Sequence, residues 1–374
     1  MRFLVAPDKF KGSLTAEQAA QHIAAGWDEA WPNHDYVIHP IADGGDGTLA
    51  VVQSVTQGDW RESPARNLRG VTQSTPWLWQ KKEKSAWIET ALVAGLANLG
   101  KTEKNPLTAT TAGLGDLIDA AEAHGAERVY LCLGGSATND AGCGMAEALG
   151  FRFLGKDGKP FDPIPKDLRN LDRIERPDRF RAIEFVGLTD VGNPLLGAEG
   201  ASLVYGPQKG ASPEEADNLE DALTHFAAIA QRDLGAPDPA TARTGAAGGL
   251  GYGLICFLGA KLQSGFETIA AMTGLPQAIA EADLIITGEG RLDPQTNAGK
   301  APSGVAQLAK QYGKPVIAIA GSIPLTNQGA GTFSATASVT NQPMTLDQAL
   351  EEAGPLLEQA AARTGRLVRI GTLL

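Results

Sequence analysis

The feature that most constrains the fold is a repeated succession of an apolar segment, a glycine-rich loop and a helix-forming segment. In "LCLGGSATNDAGCGMAEALG", residues 131–150, a short apolar run meets a glycine pair and then continues into a helical pattern. The chain begins in the same way, because residues 2–7 read as a buried strand and Thr15 with Gln18 forms a capping box that opens a helix. This alternation predicts parallel sheets with ligands at the carboxyl ends of the strands.

A different pattern separates two stretches of this alternation. After Gly58 the segments "DWRESPARNLRG", "TQSTPWLWQKK" and "SAWIETA" alternate in polarity and are joined by short turns, which indicates a mixed or antiparallel sheet. At 374 residues the chain also exceeds one ordinary core. We therefore predict an α/β fold in which a Rossmann-like, doubly wound parallel domain is interrupted by a mixed α/β domain. The first domain comprises residues 1–58 and 284–374, and the inserted domain comprises residues 59–283.

Composition excludes several classes of partner. The formal net charge of -11 argues against general binding to nucleic acid or to anionic membranes. The sequence has no apolar run of about 18 residues, the minimum for a transmembrane helix. The three cysteines lack CxxC spacing and lie in apolar or glycine-rich surroundings, so we expect buried free thiols. Together with an N-terminus that lacks a secretory signal pattern, this predicts a cytoplasmic location.

The chain contains 45 glycines, and many of them are concentrated in six loops. Glycine-rich turns that lead into helices present free amide groups and the positive end of the helix dipole, which suits phosphate. Each loop follows a predicted strand or precedes a predicted helix, so we expect all six to share one rim. The loops are residues 7–13, 42–48, 134–144, 189–194, 245–251 and 288–300.

The same loops carry cations and carboxylates. Lysines offer point charges and an arginine offers a bidentate fork for phosphate or carboxylate, while aspartate and glutamate suit magnesium or general-base chemistry. Amide donors, cations and carboxylates together are the groups that phosphoryl transfer requires. The sequence has no GxSxG, HExxH or GxxxxGK[ST] motif to indicate other chemistry. The charged loop residues are Lys9, Lys11, Arg291, Lys300, Asp43, Asp46, Asp140, Asp190, Glu289 and Asp293.

Several residues of these loops also have an ordinary structural explanation. Asp43 or Asp46 is suited to cap the following helix, a role worth about 1 kcal/mol. Asn139 is expected to cap the helix that follows its loop, and such a cap also frames an anion site. Lys9 and Lys11 are equally consistent with solvated loop charges. The loops as a set favour a ligand site more strongly than any single residue does.

The loops resemble a known family. The segments "APDKFKGSLTA", "ADGGDGT", "GGSATNDAGCGM", "YGPQKGAS", "GAAGGLG" and "ITGEGRLDPQTNAGKAPSGVA" are similar, in order and over almost the whole chain, to the bacterial type I glycerate kinases, the glycerate 2-kinase family. The resemblance implies ATP-dependent phosphorylation of D-glycerate to 2-phosphoglycerate. It also implies a Rossmann-like domain interrupted by a second domain, with the active site in the cleft between them.

Two positions depart from the pattern of this family. Lys9 stands where the family usually has a small residue, so we rank Lys11 above Lys9 as the functional cation. Ala141 replaces a common glycine, which is tolerable on the condition that the backbone φ of the alanine stays negative.

Roles for the remaining groups follow from their chemistry. The loops at residues 134–144 and 245–251 are expected to surround the phosphates of ATP. We expect Lys11 to neutralise phosphate or hold the substrate, and Arg291 to bind the glycerate carboxylate. Asp190 is our choice of general base because it follows a buried strand, and Asp293 is the second candidate.

Magnesium is the expected metal cofactor, with Asp43 and Glu289 as its candidate ligands. The other predicted substrate- or nucleotide-binding residues lie in the same set of loops. They are Asp8, Lys9, Ser13, Gly44, Gly45, Gly134, Gly135, Ser136, Thr138, Asn139, Asp140, Asn193, Gly248, Gly249 and Lys300.

Other functions stay open at this stage. The same kinase fold is compatible with 3-phosphoglycerate as the product or with a related small hydroxy acid as the substrate. A non-catalytic sugar-acid-binding protein is a further alternative. A nicotinamide-dependent oxidoreductase is disfavoured, because the first strand leads into "PDKFKGS" rather than GxGxxG. Association as a homodimer is also left open.

Overall fold

The computed structural model comprises two compact units. The first contains Met1–Asp43, Ala50–Val55 and Phe266–Leu374, and the second contains Gly44–Leu49 and Thr56–Gly265. The domain boundaries expected from the sequence, after residues 58 and 283, stay a prediction about which parts fold independently. The structure describes residues 1–97, 99–178, 182–292, 301–323 and 332–373.

Helices and strands alternate along much of the described chain. The first part contains β1 (Arg2–Val5), α1 (Ala16–Ala30), β2 (Asp35–Ile38), α2 (Thr48–Thr56), β3 (Asp59–Arg66), β4 (Thr72–Gln80), β5 (Ser85–Glu89) and α3 (Thr90–Ala94). The middle part contains α4 (Ala112–Ala123), β6 (Arg128–Cys132), α5 (Cys143–Ala148), β7 (Arg152–Gly155), β8 (Leu171–Glu175), β9 (Glu184–Leu188), α6 (Ala201–Tyr205), α7 (Pro213–Leu234), α8 (Ala246–Leu258) and β10 (Lys261–Gln263). The last part contains α9 (Gly265–Thr273), α10 (Leu275–Glu281), β11 (Leu284–Arg291), α11 (Ala301–Gln311), β12 (Val316–Ser322), β13 (Ala335–Ser338), α12 (Leu346–Glu351) and α13 (Ala353–Gly371).

The first unit is a parallel sheet with helices on both faces, as the sequence predicts. Its strand order is β13-β12-β11-β1-β2, and every described pairing is parallel. Side chains alternate across β1, so Phe3 and Val5 belong to one apolar core while Leu4 and Ala6 belong to the other. The first core is covered by α1 and α13, and the second contains residues of α9, α10 and α11. Burial on both faces explains the continuous apolar strands.

Three local features of the first unit relate directly to its sequence. Thr15 and Gln18 form the expected capping box of α1. β2 ends at Ile38, although the amides of His39 and Ile41 still donate to the carbonyls of Val5 and Pro7. The C-terminal helical segment breaks at Glu352 into α12 and α13, and Pro355 lies in the first turn of α13, where a missing amide costs little.

The second unit contains the mixed sheet that the sequence indicates. Its strand order is β10-β9-β6-β5-β4-β3, and a separate hairpin pairs β7 with β8. The pairings from β10 to β5 are parallel, whereas β4 runs antiparallel to β5 and to β3. The carboxyl ends of β5, β6 and β9 therefore lie side by side at one edge of this sheet, where Glu89, Cys132 and Leu188 are in register.

The packing of the second unit matches its composition. Trp77, Trp79 and Trp87 are buried in the sheet, as expected for core residues rather than a stacking platform. The three cysteines are free and buried, which confirms the expectation of unpaired thiols. Within the described residues, no helix is both long enough and apolar enough to cross a bilayer.

Candidate functional site

The 134–140 loop leaves the carboxyl end of β6 and is anchored by the buried carboxylate of Asp140. This side chain accepts hydrogen bonds from the backbone amides of Thr111, Gly142 and Gly144, at 2.8, 3.1 and 3.2 Å, and from the Thr111 hydroxyl at 2.7 Å. Burial raises the pKa of Asp140, and these four donors oppose that shift. Asp140 therefore holds the loop in shape, and its oxygens face protein donors.

Asn139 does not cap the following helix, so that prediction is wrong. α5 begins at Cys143 after a left-handed Gly142, and the adjacent Asp140 takes the amides of that turn. The amide nitrogen of Asn139 instead donates to the Ser202 hydroxyl at 3.1 Å. Its buried Oδ1 and the buried hydroxyl of Thr138 have no hydrogen-bond partner among the described residues. Unpaired buried polar atoms are uncommon and require an explanation.

A second glycine loop, at the start of α8, packs directly against the first. A Cβ atom at Gly248 would lie 2.0 Å from the Thr138 carbonyl oxygen, and one at Gly249 would lie 3.2 Å from the Cα of Ala141. Both glycines have positive φ, of 69° and 85°. Only glycine fits the backbone shape and the space at Gly248.

Ala141 contradicts the conformational expectation for it. Its φ is 49°, in the left-handed region, although its side chain is fully buried. Its amide donates to the Gly248 carbonyl at 3.1 Å, and this bond fixes the residue between the two glycine loops. A left-handed conformation costs a non-glycine residue about 1–2 kcal/mol, so the surrounding contacts must offset that strain.

Segment Gly44–Leu49 forms a third wall of this site within the second unit. The Gly134 amide donates to the Gly44 carbonyl at 3.1 Å, and a Cβ atom at Gly134 would lie 2.5 Å from the Cα of Gly45. A Cβ atom at Gly135 would lie 1.9 Å from Oδ1 of Asp46. That oxygen is buried and has no hydrogen-bond partner in the described part of the chain.

Glu89 is a candidate that the sequence interpretation missed. It is the last residue of β5, it is buried, and its carboxylate accepts the Leu49 amide at 2.7 Å. The hydroxyls of Thr48 and Thr90, next to these two residues in sequence, are buried without a partner among the described residues. The available signal was the position of Glu89 at the end of an apolar strand whose carboxyl end adjoins that of β6.

Lys209 is the second missed residue and the most deeply buried cation described. Its side chain is 2% exposed, and Nζ donates to the Thr138 carbonyl at 2.7 Å and approaches the Ser136 hydroxyl at 3.4 Å. Burial lowers the pKa of Lys209 to about 7, and nearby Asp140 opposes that shift. The signal was "YGPQKGAS", one of the segments similar to the kinase family, in which this lysine was not singled out.

The loop after β9 carries the predicted base. Oδ1 of Asp190 accepts a hydrogen bond of 2.6 Å from the Ser264 hydroxyl, and the carboxylate is half-buried. In the same loop, Asn193 Oδ1 accepts the Tyr205 hydroxyl at 2.7 Å, and burial raises the pKa of this tyrosine. Asp190 is therefore oriented by a neutral donor, which is an arrangement suited to a general base.

The predicted site residues of the first unit form a separate set. Pro7 accepts the Ile41 amide at 3.1 Å, so the loops after β1 and β2 run together. Lys9 Nζ lies 3.9 Å from carboxylate oxygens of both Asp8 and Asp43. Lys9 is thus held between two acids, whereas Lys11 is exposed to solvent, which is consistent with ranking Lys11 first.

The end of β11 completes this set. Glu289 is buried and Arg291 is exposed, two residues apart on the strand. The backbone of the 8–13 loop approaches β11 closely, since a Cβ atom at Gly290 would lie 3.2 Å from the Lys11 amide nitrogen. Ser13 has a local role, because its hydroxyl donates to the Phe10 carbonyl at 3.0 Å.

The predicted loops are divided between the two sheets, and the expectation that all six share one rim stays a prediction. The loops after β1 and β11 belong to the first sheet, and those after β6 and β9 belong to the second. Two predicted residues, Asp293 and Lys300, lie outside the described residues. In the part of the chain that the structure describes, no group of three or more His, Cys, Asp or Glu side chains has the geometry of a metal site.

Two buried cysteines of the second unit, Cys143 and Cys256, are not candidate nucleophiles. Burial raises the pKa of the Cys143 thiol well above its usual range and that of Cys256 to about 12, so neither is a thiolate nucleophile at neutral pH. The site instead brings together glycine backbones, unpaired buried oxygens, an oriented carboxylate and a buried ammonium. Such groups bind and orient an anionic ligand, and phosphoryl transfer requires little more from a protein.

Comparison with known proteins identifies the class and the family. Residues 3–369 match the glycerate kinase family. A protein named glycerate kinase from Halalkalibacterium halodurans is 42% identical over 363 residues, covering 96% of each chain. A protein named glycerate 2-kinase from Escherichia coli is 37% identical over 378 residues, covering 99% of each chain. A crystal structure described as a glycerate kinase 2 from Salmonella typhimurium LT2 aligns over 100% of both chains with a TM-score of 0.82 and 39% identity.

The protein is therefore an enzyme of the phosphotransferase class, with an α/β fold that its solved relative shares. The chain belongs to the glycerate kinase family. Membership of a kinase family implies ATP as the phosphoryl donor.

The contact between the two glycine loops can be tested with alanine at Gly248. Gly248→Ala should lower the free energy of unfolding by about 1–3 kcal/mol more than Gly235→Ala in urea unfolding, because overpacking adds to the shared backbone strain. Gly235 is the matched control, since it also has a positive φ but a Cβ atom there meets nothing within 4 Å. Equal losses in the two variants would show that the loops are not closely packed.

The burial of Lys209 predicts a dependence of stability on pH. The pKa of Lys209 is about 7 in the folded protein against an ordinary value of 10.5, so the unfolded chain binds one more proton between these values. Its contribution to the free energy of unfolding should therefore rise with pH in this window, by at most about 1.4 kcal/mol per pH unit, and be lost as the pH falls towards 7. Urea unfolding across this range should show a smaller slope for Lys209→Met, and an unchanged slope would contradict the shift.

Proposed function

We propose that the enzyme transfers the γ-phosphoryl group of ATP to the 2-hydroxyl of D-glycerate, which gives 2-phosphoglycerate. The observation that carries this proposal is the set of glycine-lined loops in the second unit, where backbones approach so closely that side chains are excluded at Gly134 and Gly248. The relative named glycerate 2-kinase, which is similar along nearly its whole length, supports the position of phosphorylation.

The phosphates of ATP bind along the 134–140 loop and the start of α8. The absence of side chains at the glycines permits backbone amides to approach a polyanion. The buried polar atoms of Thr138 and Asn139 that have no described partner lie in this loop, and a bound ligand or ordered water would satisfy them. Lys209 adds a cation next to the same loop.

Glycerate is recognised through its carboxylate. Arg291 offers a bidentate fork and Lys11 a point charge, and both side chains are exposed in the first unit. Arg291 pairs in register with Ser322 on the neighbouring strand, so its backbone is held rigidly by the sheet. A fixed carboxylate orients the 2-hydroxyl for attack.

Asp190 acts as the general base. It accepts the proton of the 2-hydroxyl while that oxygen bonds to the γ-phosphorus and the bond to the β-phosphate oxygen breaks, which releases ADP. The Ser264 hydroxyl, 2.6 Å from Oδ1, holds the carboxylate in one orientation. Asp293, the second candidate for this role, stays a prediction.

Magnesium fits the oxygen donors of this chain. When bound, the ion shields charge on the β- and γ-phosphates. Asp43 and Glu289 stay the predicted ligands, and Asp46 is added to them because its buried Oδ1 has no hydrogen-bond partner among the described residues. Magnesium sites in phosphotransferases often use one or two carboxylates together with substrate phosphates and water, so a larger acidic cluster is not required.

The cytoplasmic location and a homodimeric state stay predictions. Three buried free cysteines are consistent with a reducing compartment. Sedimentation of the purified chain would give the number of subunits directly.

The position of the phosphate group in the product tests the proposed reaction. With D-glycerate, ATP and Mg²⁺, the carbon and phosphorus NMR spectra should show a phosphate coupled to the C2 carbon. A phosphate on C3 would replace the proposed product with 3-phosphoglycerate, and consumption of neither substrate would exclude the kinase activity.

The role of Asp190 predicts a selective kinetic defect. Asp190→Asn should lower kcat by about 10²–10⁴-fold with an unchanged thermal unfolding temperature, because an amide cannot accept the hydroxyl proton. Ser264→Ala should have a smaller effect, since it removes only the orienting hydrogen bond. Asp157→Asn, at an exposed residue that follows β7, is the control. Near-normal turnover by Asp190→Asn would remove this residue from the mechanism.

A further inference from the structure

Lys209 is placed unusually for a lysine. It ends the short 3-10 helix Pro207–Lys209 that follows α6, and its side chain is 2% exposed. Lysine side chains normally extend to solvent, because burying an ammonium without compensation is costly. Here the compensation comes from the Thr138 carbonyl at 2.7 Å and the Ser136 hydroxyl at 3.4 Å, both in the 134–140 loop.

The groups around Lys209 leave its charge only partly balanced. Both hydrogen-bond partners are neutral, and the charged group that acts on it most directly is Asp140. Asp140 already accepts four hydrogen bonds from Thr111, Gly142 and Gly144. On the adjoining segment, the Lys104 ammonium donates to the Gln208 carbonyl at 3.3 Å. Consistent with this setting, burial lowers the pKa of Lys209 to about 7.

We propose that Lys209 is a positioning residue that holds the 134–140 loop in its nucleotide-binding shape, and that ATP binding is linked to the uptake of a proton by this side chain. The proposal rests on the proposed function, because it requires that the phosphates of ATP bind to this loop. Lys209, the residue that takes up the proton, contacts the loop and does not contact the reacting atoms.

The linkage follows from reciprocity between binding and protonation. A polyphosphate on the loop favours the charged form of a nearby buried amine, because opposite charges attract strongly where water is excluded. If binding favours the protonated lysine, protonation must favour binding to the same degree. ATP affinity should therefore fall as the pH rises above 7, by up to about tenfold per pH unit until the pKa of the bound state is reached.

A lysine with only a structural role would behave differently. Its removal would loosen the loop and weaken binding by a similar factor at every pH. The proton linkage is the readout that separates the two cases, and it can be measured on the unaltered protein. No variant has to fold for the proposal to be tested.

The experiment is isothermal titration of the full-length protein with Mg²⁺ and ATP in the absence of glycerate, at about pH 8, in buffers of different ionisation enthalpy. The slope of the observed enthalpy against the buffer enthalpy gives the number of protons taken up. We expect a value approaching one proton per nucleotide, because about nine-tenths of the free enzyme then carries a neutral Lys209. A slope of zero in the wild-type protein would overturn the linkage.

Substitutions of Lys209 test whether this side chain takes up the proton. Lys209→Arg keeps the charge and does not titrate, so it should bind ATP with no proton uptake and with an affinity independent of pH. Lys209→Met should raise the KM for ATP and also abolish the uptake. Lys104→Met is the matched control, because it removes a neighbouring lysine that bonds only to the Gln208 carbonyl in the described structure. Its proton uptake should equal that of the wild type, and any uptake that survives in Lys209→Arg would assign the proton elsewhere.

The outcomes separate this inference from the proposed function. Tight ATP binding and formation of 2-phosphoglycerate without proton uptake would refute the linkage and leave the kinase reaction intact. Proton uptake with a different phosphorylated product would support the linkage and refute the proposed position. If ATP does not bind at all, both proposals fail.

Discussion

The close approach of three backbone segments is the constraint on which the candidate site depends. The 134–140 loop packs against segment Gly44–Leu49 at Gly134 and against the start of α8 at Thr138. The distances at both contacts leave no room for side chains on the glycines. A Cβ atom would lie 2.5 Å from another backbone carbon at Gly134 and 2.0 Å from a carbonyl oxygen at Gly248. Glycine is a packing requirement at both positions, and it is also a conformational requirement at Gly248, where φ is positive.

Glycine-rich loops have few apolar side chains to pack, so buried polar groups hold these loops in place. Asp140 gathers four donors from two neighbouring elements, and Lys209 binds the loop through the Thr138 carbonyl. Such networks are costly to form and rigid once satisfied. The strained φ of Ala141 fits this account, because the contacts around it determine its conformation more strongly than its own preference does.

Much of the fold and part of the site could be predicted from local signals. The capping box at Thr15 and the alternating strands of the mixed sheet appear where the pattern places them, because caps and strand periodicity act over a few residues. Asn139 was misassigned because Asp140, one residue later, takes the helix amides. Lys209 was missed because its importance arises from burial against a loop about 70 residues earlier in the chain, and no local pattern reports burial of a lysine.

The sequence by itself determined the α/β class, the family and the glycine-rich loops of the candidate site, since each rests on residue types at short spacings. The tertiary structure alone decided how the loops are distributed between two sheets, which carboxylates are tied to protein donors and which cation is buried. The physical reason is that hydrogen-bond partners and desolvation depend on segments far apart in the chain, and these quantities set the charge and orientation of a functional group.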